Sequence, residues 1–338
     1  MGSALTVAVI VSGSIIAGAG SLLISSTAAA QATPPLAVES KISLGDIRGR
    51  IDHLAVDVKR ARLYVAELGN GTVGVVDLGM RQTVRTLTGF TGPQGIGYLS
   101  STDTLYVANS SDGSVKLFQG ADLQAVGHID LGSDADNVRV DAGAQQVVVG
   151  HGEGALAILD AVSHSRVADI PLKAHPEGFG IEPDGRRIYV NVPDAHEIAI
   201  VDRGTRKQID AWPTGELGAN FPLALDEGHR SVLAVFRHPA TLAVFRAQDG
   251  KRLATLPTCG DSDDLFVDAK RGLVYVICGE GYVEVLAERG ASYASLGRIA
   301  TLPGARTGLF IPEIDRLIVA ARARGAEPAA VWIIRPLS

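Results

Sequence analysis

The sequence predicts an all-β protein: a seven-bladed β-propeller of four-stranded antiparallel blades, its ring closed by an N-terminal strand that completes the last blade. Three observations carry this expectation. One unit recurs every 41 to 44 residues from about residue 49 to the end. A full unit holds four short β-branched or aromatic runs separated by polar turns, the mark of strands rather than helices. The last unit is one run short, and an unassigned run of the same character, residues 36–49, precedes the first unit.

The repeat is anchored by the central residue of each second strand: Tyr64, Tyr106, Val148, Tyr189, Leu233, Tyr275 and Ile318. Its clearest copy is 175–211, with the turn Pro183-Asp184-Gly185, the strand Ile188-Tyr189-Val190 and the strand Ile198-Ala199-Ile200-Val201-Asp202. Asp-Gly pairs here and at Asp112-Gly113 suit tight turns, because Asp bonds its own backbone and Gly takes positive φ. A lone four-stranded sheet leaves its faces wet, whereas seven packed in a ring bury them. The N-terminal run is expected to pair with the outer edge of blade seven.

The fourth unit, PEGFGIEPDGRRIYVNV followed by IAIVD, resembles the YVTN-repeat propeller family, the YncE-like group of bacterial periplasmic proteins. Pro-x-Gly, the Pro-Asp-Gly turn and the Tyr-Val strand carry the likeness, which is strong in units one, two and four and weakest in units five and seven. It spans residues 38–338. The resemblance implies a seven-bladed propeller in the periplasm or outside the cell. It implies no single activity, since a propeller does not dictate one.

Residues 5–24 are apolar and uncharged, and Ala30-Gln31-Ala32 is a small-x-small cleavage pattern. They predict a signal peptide over 1–32, a linker over 33–37 and one propeller domain over 38–338. No Lys or Arg precedes the apolar run, so a retained anchor is the competing reading. With cleavage the expectation is a periplasmic or secreted protein with no inserted segment. The net charge of −6 and the lack of a basic block argue against nucleic acid as a partner.

In a propeller the first strands line the central channel, and the loops entering them form one mouth. The residues at those entries are Asp52, Gln94, Asp136, Glu177, Phe221, Asp263 and Thr307, followed by His53, Gly95, Asn137, Gly178, Pro222, Asp264 and Gly308. The loops after the second strands add Glu67 and His151, and His175 precedes the fourth entry. Arg50, Arg237 and Arg322 are the candidate counter-charges. The expected ligand-binding mouth is therefore Asp52, His53, Glu67, Asp136, Asn137, His151, His175, Glu177, Arg237, Asp263 and Asp264. Two readings stay open: a divalent cation held by Asp52, Asp136, Glu177 and Asp263, or a solvated rim paired with arginines.

Cys259 precedes the first strand of blade six and Cys278 ends its second, so the hairpin brings them to one end of the blade. A disulfide is expected, with two free thiols or two soft metal ligands as alternatives. No G-x-S-x-G elbow, H-E-x-x-H or C-x-x-C-H sequence occurs. The expected function is binding of a small molecule or a periplasmic protein through the mouth. The alternatives are a metal-assisted, lactonase-like hydrolase and an accessory subunit of a periplasmic redox system.

Overall fold

The computed structural model describes residues 1–5, 8, 35–183, 185–290 and 292–337. The signal segment with its cleavage after Ala32, and Asp184 of the turn, lie outside the described residues. The chain divides into residues 1–33 and a propeller, 34–338, which is described by itself below.

Seven four-stranded antiparallel sheets form the blades. Blade 1 is β2 (Leu54–Asp57), β3 (Arg62–Glu67), β4 (Thr72–Asp77) and β5 (Gln82–Thr88). Blade 2 is β6 (Pro93–Leu99), β7 (Thr104–Asn109), β8 (Ser114–Gln119) and β9 (Gln124–Asp130). Blade 3 is β10 (Val138–Asp141), β11 (Gln146–His151), β12 (Ala155–Asp160) and β13 (Ser165–Pro171). Blade 4 is β14 (Phe179–Ile181), β15 (Arg187–Val192), β16 (Glu197–Asp202) and β17 (Lys207–Pro213). Blade 5 is β18 (Gly218–Asp226), β19 (Ser231–His238), β20 (Ala240–Arg246) and β21 (Arg252–Pro257). Blade 6 is β22 (Ser262–Asp268), β23 (Leu273–Cys278), β24 (Tyr282–Arg289) and β25 (Ser292–Ala300). Blade 7 is β26 (Thr307–Ile311), β27 (Arg316–Ala321), β28 (Ala329–Pro336) and, outermost, the N-terminal β1 (Leu36–Gly45).

The core lies between blades rather than within them. Successive side chains of a strand point to opposite faces, so each middle strand feeds two layers. Tyr189 packs with Trp212, Leu223 and Phe245 toward blade 5, while Ile188 and Val190 pack with Val148 and Ile158 toward blade 3. Both faces are buried, which is why these strands read as unbroken apolar runs. The anchors Tyr64, Tyr106, Tyr189 and Tyr275 are all essentially inaccessible.

Strand β1 begins at Leu36, inside the segment expected to be linker, because Leu36 is buried and pairs with Pro336. Leu36 joins the layer between blades 6 and 7, and Ile42 and Leu44 join the layer between blades 7 and 1. Glu39 binds Arg316 of blade 7 at 2.6 Å and Arg81 of blade 1 at 2.8 Å. The far end of the ring is stapled in the same manner: Arg60 grips Asp103 of the next blade at 2.6 Å, and Arg271 grips Asp315 at 2.6 Å.

Every outer strand carries a β-bulge. The extra residue is Val84, Val126, Val167, Ile209, Leu253 and Leu296 in blades 1 to 6, and blade 7 has two, Glu39 and Leu44. A bulge interrupts the row of free backbone groups that would recruit another strand, so the seven outer edges are protected.

Deleting residues 36–45 removes three buried side chains, worth roughly 5 kcal/mol or more, and reopens two core layers. The truncated protein is expected to lose cooperative unfolding or to melt far below the full chain. An unchanged melting temperature would contradict ring closure by β1.

Candidate functional site

The mouth is built by a second set of bulges, at the start of the inner strands. In blade 1, Asp52 N–H donates to Ala66 O at 2.8 Å and Ala66 N–H to His53 O at 3.1 Å, so two residues oppose one. Asp136 and Asn137 oppose Gly150 in the same way, and Glu177 and Gly178 oppose Asn191. Register shifts place Gln94, Phe221 and Asp263 in equivalent bulges of blades 2, 5 and 6. A bulge re-aims the extra side chain. These six residues accordingly line one cavity, with Arg50, His53, Asp134, His175, Arg237 and Arg306, enclosing about 220 Å³. Blade 7 pairs without a shift at this point, and its Thr307 is buried, facing the Ile51 carbonyl at 3.4 Å instead.

The repeat's small residues make this geometry feasible. A Cβ on Gly95 would collide with the Asp136 carbonyl oxygen, and one on Gly178 would stand 2.5 Å from the Phe221 carbonyl oxygen. At these two positions only glycine lets the inner strand approach its neighbour this closely. Gly178 N–H donates to Phe221 O at 3.0 Å, and Asn191 Nδ2 donates to the Phe221 and Pro222 carbonyls at 3.1 Å.

The cavity is electrostatically uneven. On the side of blades 5, 6, 7 and 1 the charges are paired. Asp263 accepts a hydrogen bond from Arg237 at 2.6 Å and forms an ion pair with Arg306 at 2.9 Å. Asp52 pairs with Arg50 at 2.8 Å, and Asp261 with Arg306 at 2.9 Å. Arg237 also lies 3.7 Å over the ring of Phe221. Burial still pushes the Asp263 carboxyl up to about 6, against the pull of Arg237.

On the side of blades 3 and 4 the carboxylates have no such partners. Burial raises Asp136, with repulsion from Asp52 adding to it. Burial, with repulsion from Asp136 and Asp263, pushes Glu177 up to about 9. Asp136 Oδ1 is buried with no hydrogen-bond partner, and the residue is 8% exposed.

His53 stands between the mouth and the central channel and lines both. Its nitrogens lie 3.6 Å from Asp52 and 3.6 Å from Asp264. Burial alone would lower its pKa, but Asp264, Asp52 and Asp136 outweigh that and hold it at about 10. His53 is therefore a cation at neutral pH. Asp264 lines the channel, where its carboxylate accepts the Gly308 N–H at 2.8 Å. Arg139 lines the same channel, 5.5 Å from the ring of Phe179.

Four expected mouth residues do not line this cavity: Asp264, which lines the channel, and Glu67, His151 and Asn137. Glu67 is buried inside blade 1, where it accepts the Thr72 hydroxyl at 2.6 Å and fills space left by Gly74. His151 is buried and pairs with Asp169 of its own outer strand at 2.7 Å. Both end their second strands, and the final side chain of each points into the blade layers rather than the funnel. Asn137, the second residue of its bulge, is buried and does not line the cavity. Of the counter-charges, Arg322 is exposed and Arg306 takes the place expected for it. Arg306 immediately precedes the entry residue of blade 7, a position whose signal in the sequence is its neighbour rather than its own spacing. Asp134, a left-handed loop residue, was likewise invisible to the strand pattern.

Cys259 and Cys278 form a disulfide, with Cα atoms 5.8 Å apart. It closes a loop worth about 3 kcal/mol by chain entropy, and it anchors the segment that carries Asp261 and Asp263. A second acid–histidine cluster, Asp226, His229 and Glu288, lies at the far end of the inner strands. There Asp226 is already bound by His229 at 2.8 Å and by the Tyr293 hydroxyl.

By sequence the chain matches no family model and no curated protein. By structure it is similar to a chain of Kuenenia stuttgartiensis hydrazine synthase, with a TM-score of 0.73 and 14% identity, covering 84% of this chain and 97% of that one. It is also similar to a chain in a crystal structure of the mitotic checkpoint complex, with a TM-score of 0.75 and 13% identity, covering 94% and 99%. At such identities the likeness shows the fold alone, a β-propeller.

Glu67 generates a pH dependence. Burial pushes its carboxyl up to about 7, with the Thr72 hydrogen bond pulling the other way. Between about pH 4.5 and pH 7 the unfolded chain ionises this group while the folded chain keeps the proton, so stability falls as pH rises. The loss is on the order of 3 kcal/mol. Urea unfolding at pH 5 and pH 8 is expected to show Glu67→Gln gaining on the wild type at pH 8 and much less at pH 5. Equal differences at both pH values would contradict the buried, ionising carboxyl.

Proposed function

We propose that this protein is an exported propeller of the YVTN-repeat, YncE-like type, acting in the periplasm or outside the cell as a binding module. Its channel mouth receives the positively charged end of a small ligand or of a partner protein's side chain. One observation carries the reading: among the described residues Asp136 and Glu177 share one wall with no arginine or lysine paired to them and only His53 as a nearby cation, while the other mouth carboxylates are matched by Arg50, Arg237 and Arg306. Ionising a buried carboxyl without a partner is costly, and an incoming cation that takes the place of the proton offsets that cost.

The cavity's 220 Å³ limits what enters. Pockets for drug-sized molecules start at about 300 Å³, so only a small ion or molecule, or the tip of a longer one, reaches the floor. The apolar N-terminal run with its Ala30-Gln31-Ala32 site supports export, as does the buried disulfide, a bond that persists in oxidising compartments.

Calorimetric titration with putrescine, CaCl₂ and ZnCl₂ as probes tests the cation preference. The wild type is expected to bind at least one of them, and Asp136→Asn/Glu177→Gln to bind it at least about tenfold more weakly. The double variant relieves repulsion, so its folded state is expected to be at least as stable, which separates lost binding from lost fold. A wild type that binds none of the probes, or a double variant that binds them equally well, overturns the reading.

A further inference from the structure

We propose that Asp136, His175 and Glu177 form a binding site for a divalent transition ion of the Zn²⁺ class in the wall of the mouth. This rests on the reading that the mouth receives a cation and names which one. One donor atom from each of the three residues lies within 4.8 Å of the other two. Bonds of about 2.0–2.2 Å to a shared ion would draw these atoms closer by roughly an ångström, a movement that side-chain rotation supplies.

Two further observations point to a ligand. Asp136 Oδ1 is buried, unpartnered and on the cavity wall, in a residue only 8% exposed. His175 Nδ1 lies 2.6 Å from the carbonyl oxygen of Gly152. A carbonyl can only accept, so the neutral imidazole in this contact is the tautomer with its proton on Nδ1, which leaves the Nε2 lone pair for an ion. Metal-ligating histidines are oriented in this way by a backbone carbonyl behind the ring.

The three side chains are also held by rigid elements. Asp136 comes from the bulge that opens blade 3, and Glu177 from the bulge that opens blade 4. His175 and Glu177 flank the buried Pro176, whose ring restricts the backbone between them. The remaining mouth carboxylates do not join them. Asp52 and Asp263, the other two residues the sequence offered as cation ligands, are engaged by Arg50, Arg237 and Arg306.

The donor set selects the ion. Ca²⁺ takes about six to eight oxygens, whereas two carboxylates and one imidazole suit a four-coordinate ion with one position open. That position would face the cavity, whose blade 5–7 side carries Arg237 and Arg306.

The test uses the whole protein, stripped with chelator and titrated with ZnCl₂, and with CoCl₂ for its visible absorption. One ion per chain is expected, with Co²⁺ bands that report imidazole coordination. His175→Gln is expected to weaken Zn²⁺ binding by at least about tenfold and to abolish those bands. His151→Gln, which alters a histidine outside the cavity, is expected to leave both unchanged. A wild type that binds no Zn²⁺, or a His175→Gln variant that binds it equally well, overturns the site. If putrescine still binds and weakens in Asp136→Asn/Glu177→Gln, the cation-receiving mouth survives that result; if neither probe binds, both fall.

Discussion

The bulge at the head of each inner strand is the constraint on which the mouth depends. Two residues are held against one in blades 1 to 6, so a side chain that strict alternation would send into a blade layer turns toward the axis. Blade 7 is the internal control. Its inner strand pairs regularly, and Thr307 stays buried against Ile51 while the other six entry residues reach the cavity. The bulge in turn requires neighbouring inner strands to approach closely. Gly95 and Gly178 allow that approach, and Asn191 ties the next strand in place through the Phe221 and Pro222 carbonyls. The Pro-x-Gly and Tyr-Val segments of the repeat are thus the mechanical base of the site.

Charge then divides the ring of six. Asp52 and Asp263 meet arginines from blades 1, 5 and 7, and the side of Asp263 is further anchored by the disulfide through the loop of Asp261. Asp136 and Glu177 meet each other and His175. In a low-dielectric funnel the first arrangement is close to self-sufficient, whereas the second leaves two buried carboxyls without an arginine partner. His53, kept charged between Asp52 and Asp264, closes the floor and separates this polar mouth from a channel with largely apolar walls.

The outer rim shows the same device used for a different purpose. Each outer strand is bulged, and six of the extra residues are apolar side chains raised from the edge. Glu39 lies in the strand that has to join the ends of the chain, and it makes ion pairs within its own blade, to Arg316, and to blade 1, at Arg81. Closing the ring removes two unpaired faces at once, which is why an N-terminal segment of ten residues governs the stability of the whole propeller.

The seven blades, their four strands and the N-terminal closure were legible in the sequence, because each is a local pattern repeated at a constant period. Tyr64, Tyr106, Tyr189 and Tyr275 recur for a physical reason: each fills the same inter-blade layer. The entry residues Asp52, Gln94, Asp136, Glu177, Phe221 and Asp263 were legible too, since the period carries position from blade to blade. Direction was not. Glu67 and His151 occupy equivalent repeat positions one strand along, yet their side chains turn inward, and only the pairing register decides between the two outcomes. Partners were legible only in part: Arg50 and Arg237, offered as counter-charges, do meet Asp52 and Asp263. Arg306 rather than Arg322 neutralises Asp263, and His175 rather than Asp52 or Asp263 stands with Asp136 and Glu177, because these contacts join blades tens of residues apart. A repeat determines where a residue sits on the ring; which charges meet across the mouth was decided by the tertiary structure alone.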